Sequence, residues 1–246
     1  MAKVAGRHPV NELLESQRNV HRVFLQYNVS GNTIENIIAS AEKRNIPVER
    51  TTEREISDLA ELENHQGVVA FADDIEIKEP LQVLQAVRAA GATPRFLLLD
   101  QIKDPQNFGA LIRTARAAGF QGIIYPKDRS CPITPAVVKA SAGAIEYMAM
   151  CRITNLNRTI EKLKDENIWI AGAEPEGETL YYQADLTGAL GLVIGSEGSG
   201  LRRLVKENCD FLVKVPVMEH PGSLNVSTAA AVIIYEAVRQ SKANLD

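Results

Sequence analysis

The chain contains few cysteines, and their spacing indicates no cross-link. Only three of the 246 residues are cysteines, Cys131, Cys151 and Cys209, and none belongs to a CxxC pair. This spacing favours neither a disulfide framework nor a zinc site. We therefore interpret all three as reduced thiols of the protein core, where free cysteine is commonly buried, and we expect no bound metal.

The sequence also lacks any segment that could span a membrane or direct secretion. No apolar run approaches the roughly 18 residues that a transmembrane helix needs. The opening residues, MAKVAGR, contain no apolar segment of the kind found in signal peptides. The composition, 45% hydrophobic and 24% charged, is that of an ordinary globular protein. We expect a soluble cytoplasmic protein that does not contact a membrane.

An overall positive charge is missing as well. The formal net charge of −4 argues against a protein that holds nucleic acid by bulk electrostatics alone. The opening stretch nevertheless contains Arg7, His8, Arg18 and Arg22. These residues form a local basic patch if the fold brings them together, and are scattered solvated charges if it does not. Both interpretations stay open at this stage.

Patterns of secondary structure divide the chain into two domains. In residues 1–75, Val20–Tyr27 and Gly67–Ala72 have β-like patterns and Thr33–Arg44 has helical spacing, which predicts a small α/β domain. We place a linker at residues 76–94, where the chain becomes acidic, contains prolines and a glycine, and includes a helix-like segment at Leu81–Ala90.

Residues 95–246 alternate between apolar strands and helices. This alternation predicts a mostly parallel sheet with helices on both faces, whose ligands bind beyond the carboxyl ends of the strands. The predicted strands are Phe96–Asp100, Gly122–Tyr125, Ile145–Ile153, Ile168–Ala173, Leu190–Ile194 and Phe211–Val215. The predicted helices are Phe108–Ala118, Pro135–Ser141, Leu156–Asp165 and Val226–Arg239.

The first of three polar loops follows the strand that ends near Asp100 and opens a helix. A helix N-terminus attracts anions, because its free N–H groups carry partial positive charge. Farther along this helix, Arg113 and Arg116 are three residues apart and therefore share a face that can grip a phosphate. Two solvated arginines on an amphipathic helix are the plainer interpretation, and spacing alone favours it.

The second loop, Gly195–Leu201, directly follows an apolar strand and contains three glycines. Glycine lets the backbone approach a ligand closely. The order GxxGxG differs from the dinucleotide fingerprint GxGxxG, which leaves a nicotinamide enzyme as a weak alternative. Within the loop, Glu197 is either a ligand contact or a helix-capping carboxylate.

The third loop crowds Ser223, Asn225, Ser227 and Thr228 before a helix of small residues. Such side chains first of all indicate a helix start, because they cap free N–H groups. Capping does not require both Ser223 and Asn225. The surrounding sequence lacks the GxSxG frame of a hydrolase elbow, which disfavours a serine hydrolase.

Taken together, the three loops resemble the three signature motifs of the SpoU (TrmH-like) RNA 2′-O-ribose methyltransferases of the SPOUT superfamily. One motif alone would be weak evidence, whereas three in the same order are highly specific. The resemblance covers residues 96–239. The matching residues are Asn107-x-Gly109-x-x-x-Arg113, Gly195-x-Glu197-Gly198-x-Gly200-Leu201 and Ser223-Leu224-Asn225-Val226-Ser227.

The resemblance extends to the start of the chain. Gly6–Leu14 and His65–Ala70 are similar to the two ends of the family's N-terminal RNA-binding domain, which has an L30e-like fold. The resemblance implies that residues 1–75 bind RNA and that residues 95–246 form a methyltransferase domain with a deep C-terminal trefoil knot, a rare exception among protein folds. It also implies a homodimer.

The resemblance further implies S-adenosylmethionine as the methyl donor and 23S ribosomal RNA as the substrate. The domain arrangement resembles the subgroup that methylates a guanosine in the peptidyl-tRNA-binding loop of that RNA. In the family the donor would contact the positions of Gly195, Val215 and Leu224. The positions associated with catalysis or site integrity correspond to Arg113, Asn107, Glu197, Ser223 and Asn225. For RNA we expect contacts from Arg7, His8, Arg18 and Arg22, and a phosphate contact from Arg116.

Two questions stay open from the sequence. Arg113 is either the base that takes the hydroxyl proton or a clamp on the phosphate beside the reacting ribose, since the pKa of arginine lies above about 12. The substrate alternatives are a tRNA guanosine and a 23S adenosine. A catalytically silent RNA-binding protein of the same fold is the rival outside the enzyme class.

Overall fold

The structure, a computed structural model, describes residues 1–60, 64–218 and 223–243. The chain forms two compact units. The first comprises residues 1–76 and 133–147, and the second comprises residues 77–132 and 148–246. The sequence prediction differs at two places, because residues 133–147 pack with the first unit and most of the predicted linker packs with the second.

The first unit contains a four-stranded mixed sheet in the order β1-β4-β2-β3. The apolar strand β4 pairs antiparallel with both β1 and β2, and β3 extends the sheet parallel to β2. Numbered along the whole chain, its elements are β1 (Ala2–Ala5), α1 (Arg7–Glu15), β2 (Val20–Gln26), α2 (Asn32–Lys43), β3 (Val48–Thr51), α3 (Glu53–Ala60), β4 (Val68–Ala72) and α6 (Pro135–Ala140).

The sequence patterns identified only part of this unit. β2, α2 and β4 begin and end within a residue or two of the predicted bounds. On α2 the buried residues Ile34, Ile37 and Ala41 follow the expected helical spacing. The strands β1 and β3 were missed because four residues are too few to show a clear alternation.

A buried ion pair lies inside the first unit. Arg18 Nη2 is 3.0 Å from Glu146 Oε1, and the two side chains are only 10% and 1% exposed. Burial lowers the pKa of Arg18 and raises the pKa of the Glu146 carboxyl, in each case against the attraction of the partner's charge. At both groups desolvation therefore outweighs the attraction of the partner's charge.

We expect Arg18→Met to destabilise the first unit by about 3 kcal/mol, because it leaves a buried carboxylate without its cation. The double variant Arg18→Met/Glu146→Leu should recover most of that loss. Hydrogen exchange of the β2 and β4 amides measures the stability of the first unit in both variants. As a control in the same unit, Arg22→Met breaks an exposed ion pair with Glu49 and should cost less than about 1 kcal/mol. A double variant no more stable than Arg18→Met would contradict this account.

The second unit contains a seven-stranded sheet in the order β7-β6-β5-β10-β8-β11-β9. Every pairing among its described strands is parallel. Its strands are β5 (Arg95–Leu99), β6 (Gly122–Pro126), β7 (Ala149–Ile153), β8 (Trp169–Ala173), β9 (Thr179–Leu180), β10 (Leu190–Ile194) and β11 (Phe211–Lys214). Its helices are α4 (Pro80–Ala89), α5 (Pro105–Ala117), α7 (Leu156–Asp165), α8 (Arg203–Asn208) and α9 (Val226–Ala243).

The predicted α/β class with a mostly parallel sheet is confirmed, and the trefoil knot stays a prediction. Two local predictions need correction. The strand predicted at Ile145–Ile153 begins only at Ala149, because residues 144–147 form a 3₁₀ turn that packs in the first unit. Within the predicted linker, α4 buries Val83 and Leu84 in the core of the second unit, since its apolar face matches the helical period.

The cysteines occupy the positions expected of core thiols. Cys131 and Cys151 are buried, Cys209 is half-buried, and all three are free. Burial raises the pKa values of Cys151 and Cys209 to about 12, so both remain protonated at neutral pH. Among the described residues, no helix is long and apolar enough to cross a membrane.

Candidate active site

The second unit brings three strand ends level with one another. Strand β10 lies between β5 and β8, and its last residue, Ile194, pairs with Leu99 of β5 and Ala173 of β8. The loops that follow these strands therefore leave the sheet at the same edge. The third loop ends at α9, which packs against α5, the helix that the first loop opens.

One side chain from each loop joins a common hydrogen-bonded triangle. Asn107 Nδ2 donates to Glu197 Oε1 over 2.6 Å. Asn225 Nδ2 lies 2.9 Å from the same carboxylate oxygen and 2.9 Å from Asn107 Oδ1. The three residues are far apart in sequence, so the triangle is a product of the tertiary fold. We call Asn107, Glu197 and Asn225 the amide–carboxylate triangle.

Local helix starts orient the two asparagines. Asp104 caps α5 by accepting a hydrogen bond of 2.7 Å from the Asn107 backbone N–H. Asn225 Oδ1 accepts bonds from the N–H groups of Ser227 and Thr228, at 2.9 and 3.3 Å. Asn225 therefore caps α9 with its oxygen while its amide nitrogen enters the triangle, so both functions suggested by the sequence occur together.

Arg113 and Ser223 are not part of this triangle. Both side chains are exposed, and neither has a hydrogen bond or ion pair within the part of the chain that the structure describes. Arg113 lies six residues beyond Asn107 on α5, about 240° around the helix axis at about 100° per residue. Residues 219–222, which precede Ser223, lie outside the described residues.

The residues expected to hold a methyl donor differ in exposure. Gly195 is buried directly after β10, Val215 is half-buried directly after β11, and Leu224 is 45% exposed beside Asn225. A Cβ atom at Gly195 would lie 2.2 Å from the carbonyl carbon of Gly200. The second loop thus folds back onto its own start, where only glycine fits.

Two carboxylates near the second loop were given no role from the sequence. Asp100 follows β5, Glu174 follows β8, and both are buried, with 1% and 7% of their surface exposed. Each accepts a hydrogen bond from the backbone at the end of the second loop. The available signal was an acidic residue placed directly after a buried strand, where a charge needs a partner.

The residues expected to bind RNA also differ in exposure. His8, Arg22 and Arg116 are exposed. Arg7 is half-buried, and its guanidinium donates to the backbone carbonyls of Gln66 and Ser30 at 3.3 and 3.4 Å.

Arg18 requires a correction. Its guanidinium is buried against Glu146, as described above, so it is not available to a phosphate in this structure. Its neighbour in the predicted patch, Arg22, is exposed and forms an ion pair of 3.2 Å with Glu49. A basic run in sequence therefore does not become one basic surface here.

Comparison with known families covers almost the whole chain. The SpoU rRNA Methylase family matches residues 94–235, and the RNA 2′-O ribose methyltransferase substrate binding family matches residues 3–77. The chain belongs to the SpoU rRNA methylase family. The first of these matches contains all three loops that meet at the triangle.

Individual relatives agree with this membership. A Pseudomonas putida protein named 23S rRNA (guanosine-2′-O-)-methyltransferase RlmB is 40% identical over 98% of this chain and 97% of its own. A Staphylococcus saprophyticus protein that carries the name TrmH family tRNA/rRNA methyltransferase is 39% identical over 96% of this chain and 95% of its own. Among solved structures, the SpoU methyltransferase AviRb from Streptomyces viridochromogenes in complex with AdoMet has the same fold, with a TM-score of 0.80. It is 23% identical and covers 97% of this chain and 89% of its own.

Proposed function

We propose that this SpoU-family methyltransferase transfers a methyl group from S-adenosylmethionine to the ribose 2′-hydroxyl of a guanosine in the peptidyl-tRNA-binding loop of 23S ribosomal RNA. The observation that carries the proposal is the amide–carboxylate triangle, in which the three motif loops meet through hydrogen bonds of 2.6 to 2.9 Å. A silent RNA-binding protein would have no need to keep these three polar side chains together.

The residues at this edge of the sheet fit a nucleoside-bearing methyl donor. The second loop leaves its backbone open at Gly198, where a Cβ atom would meet no atom within 4 Å, so main-chain groups there can approach a ligand closely. Leu224 leaves apolar surface exposed beside the triangle residue Asn225. We assign Gly195, Val215 and Leu224 to donor binding on these observations and on membership in the SpoU family. The donor, when bound, supplies a methyl group activated by a positively charged sulfur.

The chain's own task is to orient the ribose and to remove its proton. The 2′-oxygen must lie in line with the methyl group at about 3 Å, and such positioning can account for much of the acceleration. Asn107, Glu197 and Asn225 hold the loops that define this geometry, and Ser223, two residues before Asn225, adds an exposed hydroxyl to the third loop. As the new oxygen–carbon bond forms and the methyl–sulfur bond breaks, the hydroxyl proton passes to Arg113 if Arg113 is the base, or to solvent or the RNA phosphate if Arg113 is a clamp.

Arg113 is assigned to the RNA side of the reaction. Its exposed guanidinium can bind the phosphate beside the reacting ribose through two parallel hydrogen bonds. In a second version it takes the hydroxyl proton itself, which requires a deprotonated arginine. The clamp is chemically easier, because arginine stays charged at neutral pH.

We assign RNA binding in the first unit to His8, Arg22 and, through its remaining donors, Arg7. Arg22→Ala should weaken RNA binding roughly fivefold. It should also make the slope of log K against log salt concentration shallower by about one, because one phosphate contact is lost. Filter binding across a salt series measures both quantities. Arg50→Ala is the matched control, because Arg50 stands on the neighbouring strand β3 and donates to the Tyr27 carbonyl at 3.0 Å. Equal losses in both variants would contradict a specific contact at Arg22.

The oligomeric state and the location of the protein complete the proposal. We propose a homodimer in the cytoplasm, on the strength of family membership. The proposal that the substrate is ribosomal RNA rather than tRNA agrees with the name of the Pseudomonas putida relative, which matches nearly the full length of this chain. The name of the Staphylococcus saprophyticus relative keeps tRNA as the alternative.

The deciding experiment is methyl transfer from labelled S-adenosylmethionine to unmodified 23S rRNA, 16S rRNA and bulk tRNA, followed by mapping of the 2′-O-methylated nucleotide. We expect label at one guanosine of the 23S peptidyl-tRNA-binding loop. Label confined to tRNA would keep the reaction and overturn the substrate. Absence of both label and cofactor binding would overturn the proposed activity.

A further inference from the structure

Two acidic residues flank the start of the second loop on both sides. Because Ile194 pairs with Leu99 and Ala173, the next residues along the three strands are also neighbours. These next residues are Asp100, Glu174 and, between them, Gly195. The Asp100 N–H continues the sheet by donating to the Ile194 carbonyl at 2.8 Å.

Both carboxylates turn toward the end of the same loop. Glu174 Oε2 accepts a hydrogen bond of 3.1 Å from the Leu201 backbone N–H. Asp100 accepts bonds from the backbone N–H and the side-chain Nε of Arg202, at 2.9 and 2.7 Å. Two consecutive backbone amides are thus received by carboxylates from two different strands, one on each side of β10.

Each buried carboxylate also has a cation. Lys206 Nζ lies 2.8 Å from Glu174 Oε1, and Arg202 pairs with Asp100. The Asp100 side chain is fully buried and that of Glu174 is 7% exposed, so water does not replace these partners. A neutral substitute at either position therefore leaves a cation and an amide without full compensation.

The second loop is consequently held at two points. Its middle is tied by Glu197 in the amide–carboxylate triangle. Its end is tied at Leu201 and Arg202. Between these two points, Ser196 and Gly200 exchange a pair of backbone hydrogen bonds of 3.0 and 3.1 Å, which keep the returning backbone against Gly195.

We propose that Asp100 and Glu174 form a carboxylate clamp that positions the second loop for binding of the methyl donor. This inference rests on the proposed function, since it assigns donor binding to that loop. Both residues are positioning residues, because they act through the backbone of Leu201 and Arg202. The clamp sets the position of Gly195 and Glu197 and leaves the RNA surface of the first unit unaffected.

The test compares Asp100→Asn and Glu174→Gln with wild-type protein, by titration calorimetry with S-adenosylmethionine. Loss of a hydrogen bond to a charged group corresponds to about tenfold or more in affinity, so we expect the Kd for the donor to rise by that factor. RNA affinity should stay within about twofold of wild type. If Asp100→Asn does not fold, Arg202→Gln keeps the backbone hydrogen bond to Asp100 and removes the guanidinium, with its donor and its charge, and should give a smaller rise in the same Kd.

A matched control exists at the opposite edge of the sheet. Asp210 also accepts from a backbone amide, that of Ile170 at 2.8 Å, and pairs with a cation, Lys164, at 2.7 Å. Asp210→Asn should therefore cost similar stability without changing the Kd for S-adenosylmethionine. A Kd that rises equally in Asp210→Asn and Asp100→Asn would overturn the clamp, because general destabilisation would then account for both.

Amide hydrogen exchange separates failure of the clamp from failure of the proposed function. We expect faster exchange at Leu201 and Arg202 in Asp100→Asn, with unchanged exchange there in Asp210→Asn. If wild-type protein binds no S-adenosylmethionine, the proposed function is wrong. The amide exchange rates of Leu201 and Arg202 then still show whether the carboxylate clamp holds the loop. Unchanged exchange at these two amides in Asp100→Asn, or an unchanged donor Kd, would overturn the clamp.

Discussion

Arg113→Ala is expected to reduce methyl transfer to 23S rRNA by about a thousandfold, the upper end of the range for loss of one preorganised hydrogen-bond donor at the reacting atoms. Folding should be unaffected, because Arg113 is exposed and has no hydrogen bond or ion pair in the described part of the chain. The Kd for S-adenosylmethionine should also stay within about twofold, since Gly195, Val215 and Leu224 lie on other loops. Single-turnover rates with saturating RNA measure the loss.

Arg113→Lys then separates the two roles of this residue. Lysine loses a proton more easily than arginine but cannot form two parallel hydrogen bonds with a phosphate. If Arg113 is a clamp, the lysine variant should be nearly as slow as the alanine variant. Substantial retained activity, with a rate that rises as the pH approaches the lysine pKa, would contradict an obligatory clamp and favour the base.

Gly195→Ala is the second substitution with a large expected effect. A Cβ atom there would lie 2.2 Å from the Gly200 carbonyl carbon and 2.5 Å from the Leu201 nitrogen. These are backbone atoms, which cannot rotate away as a side chain can. The substitution must therefore separate the end of β10 from the returning loop, at a cost of up to about 3 kcal/mol. If this strain falls on the bound state, the donor affinity drops by up to roughly 150-fold.

The measurements for Gly195→Ala are calorimetric titration with S-adenosylmethionine and thermal unfolding. Gly188→Ala is a suitable control, because Gly188 precedes the other end of β10 and a Cβ atom there would meet no atom within 4 Å. Its φ of +71° still disfavours alanine, by about 1 to 2 kcal/mol, so the control includes backbone strain without the clash. Normal donor binding by Gly195→Ala would refute the close approach at this position.

Much of the second unit could be predicted from the sequence. Strands such as β10 and helices such as α7 have local patterns of apolar residues whose period reports the element directly. The three motifs are local as well, and their order along the chain was sufficient to indicate the family. The packing of residues 133–147 in the first unit could not be predicted, because the sequence of a short helix does not specify the sheet against which it packs.

The sequence by itself determined the periodicities, the glycines that permit a close backbone approach and the polar loops that belong to one site. The tertiary structure alone decided which of these residues meet. Asn107 is 90 residues from Glu197 and 118 from Asn225, yet their side chains share one set of hydrogen bonds. Conversely, Arg18 is not on the predicted RNA-binding surface, because it forms a buried ion pair with Glu146, a carboxylate far along the chain. Local pattern encodes the period of an element, whereas the partner of a buried charge depends on contacts between distant segments, which no local pattern contains.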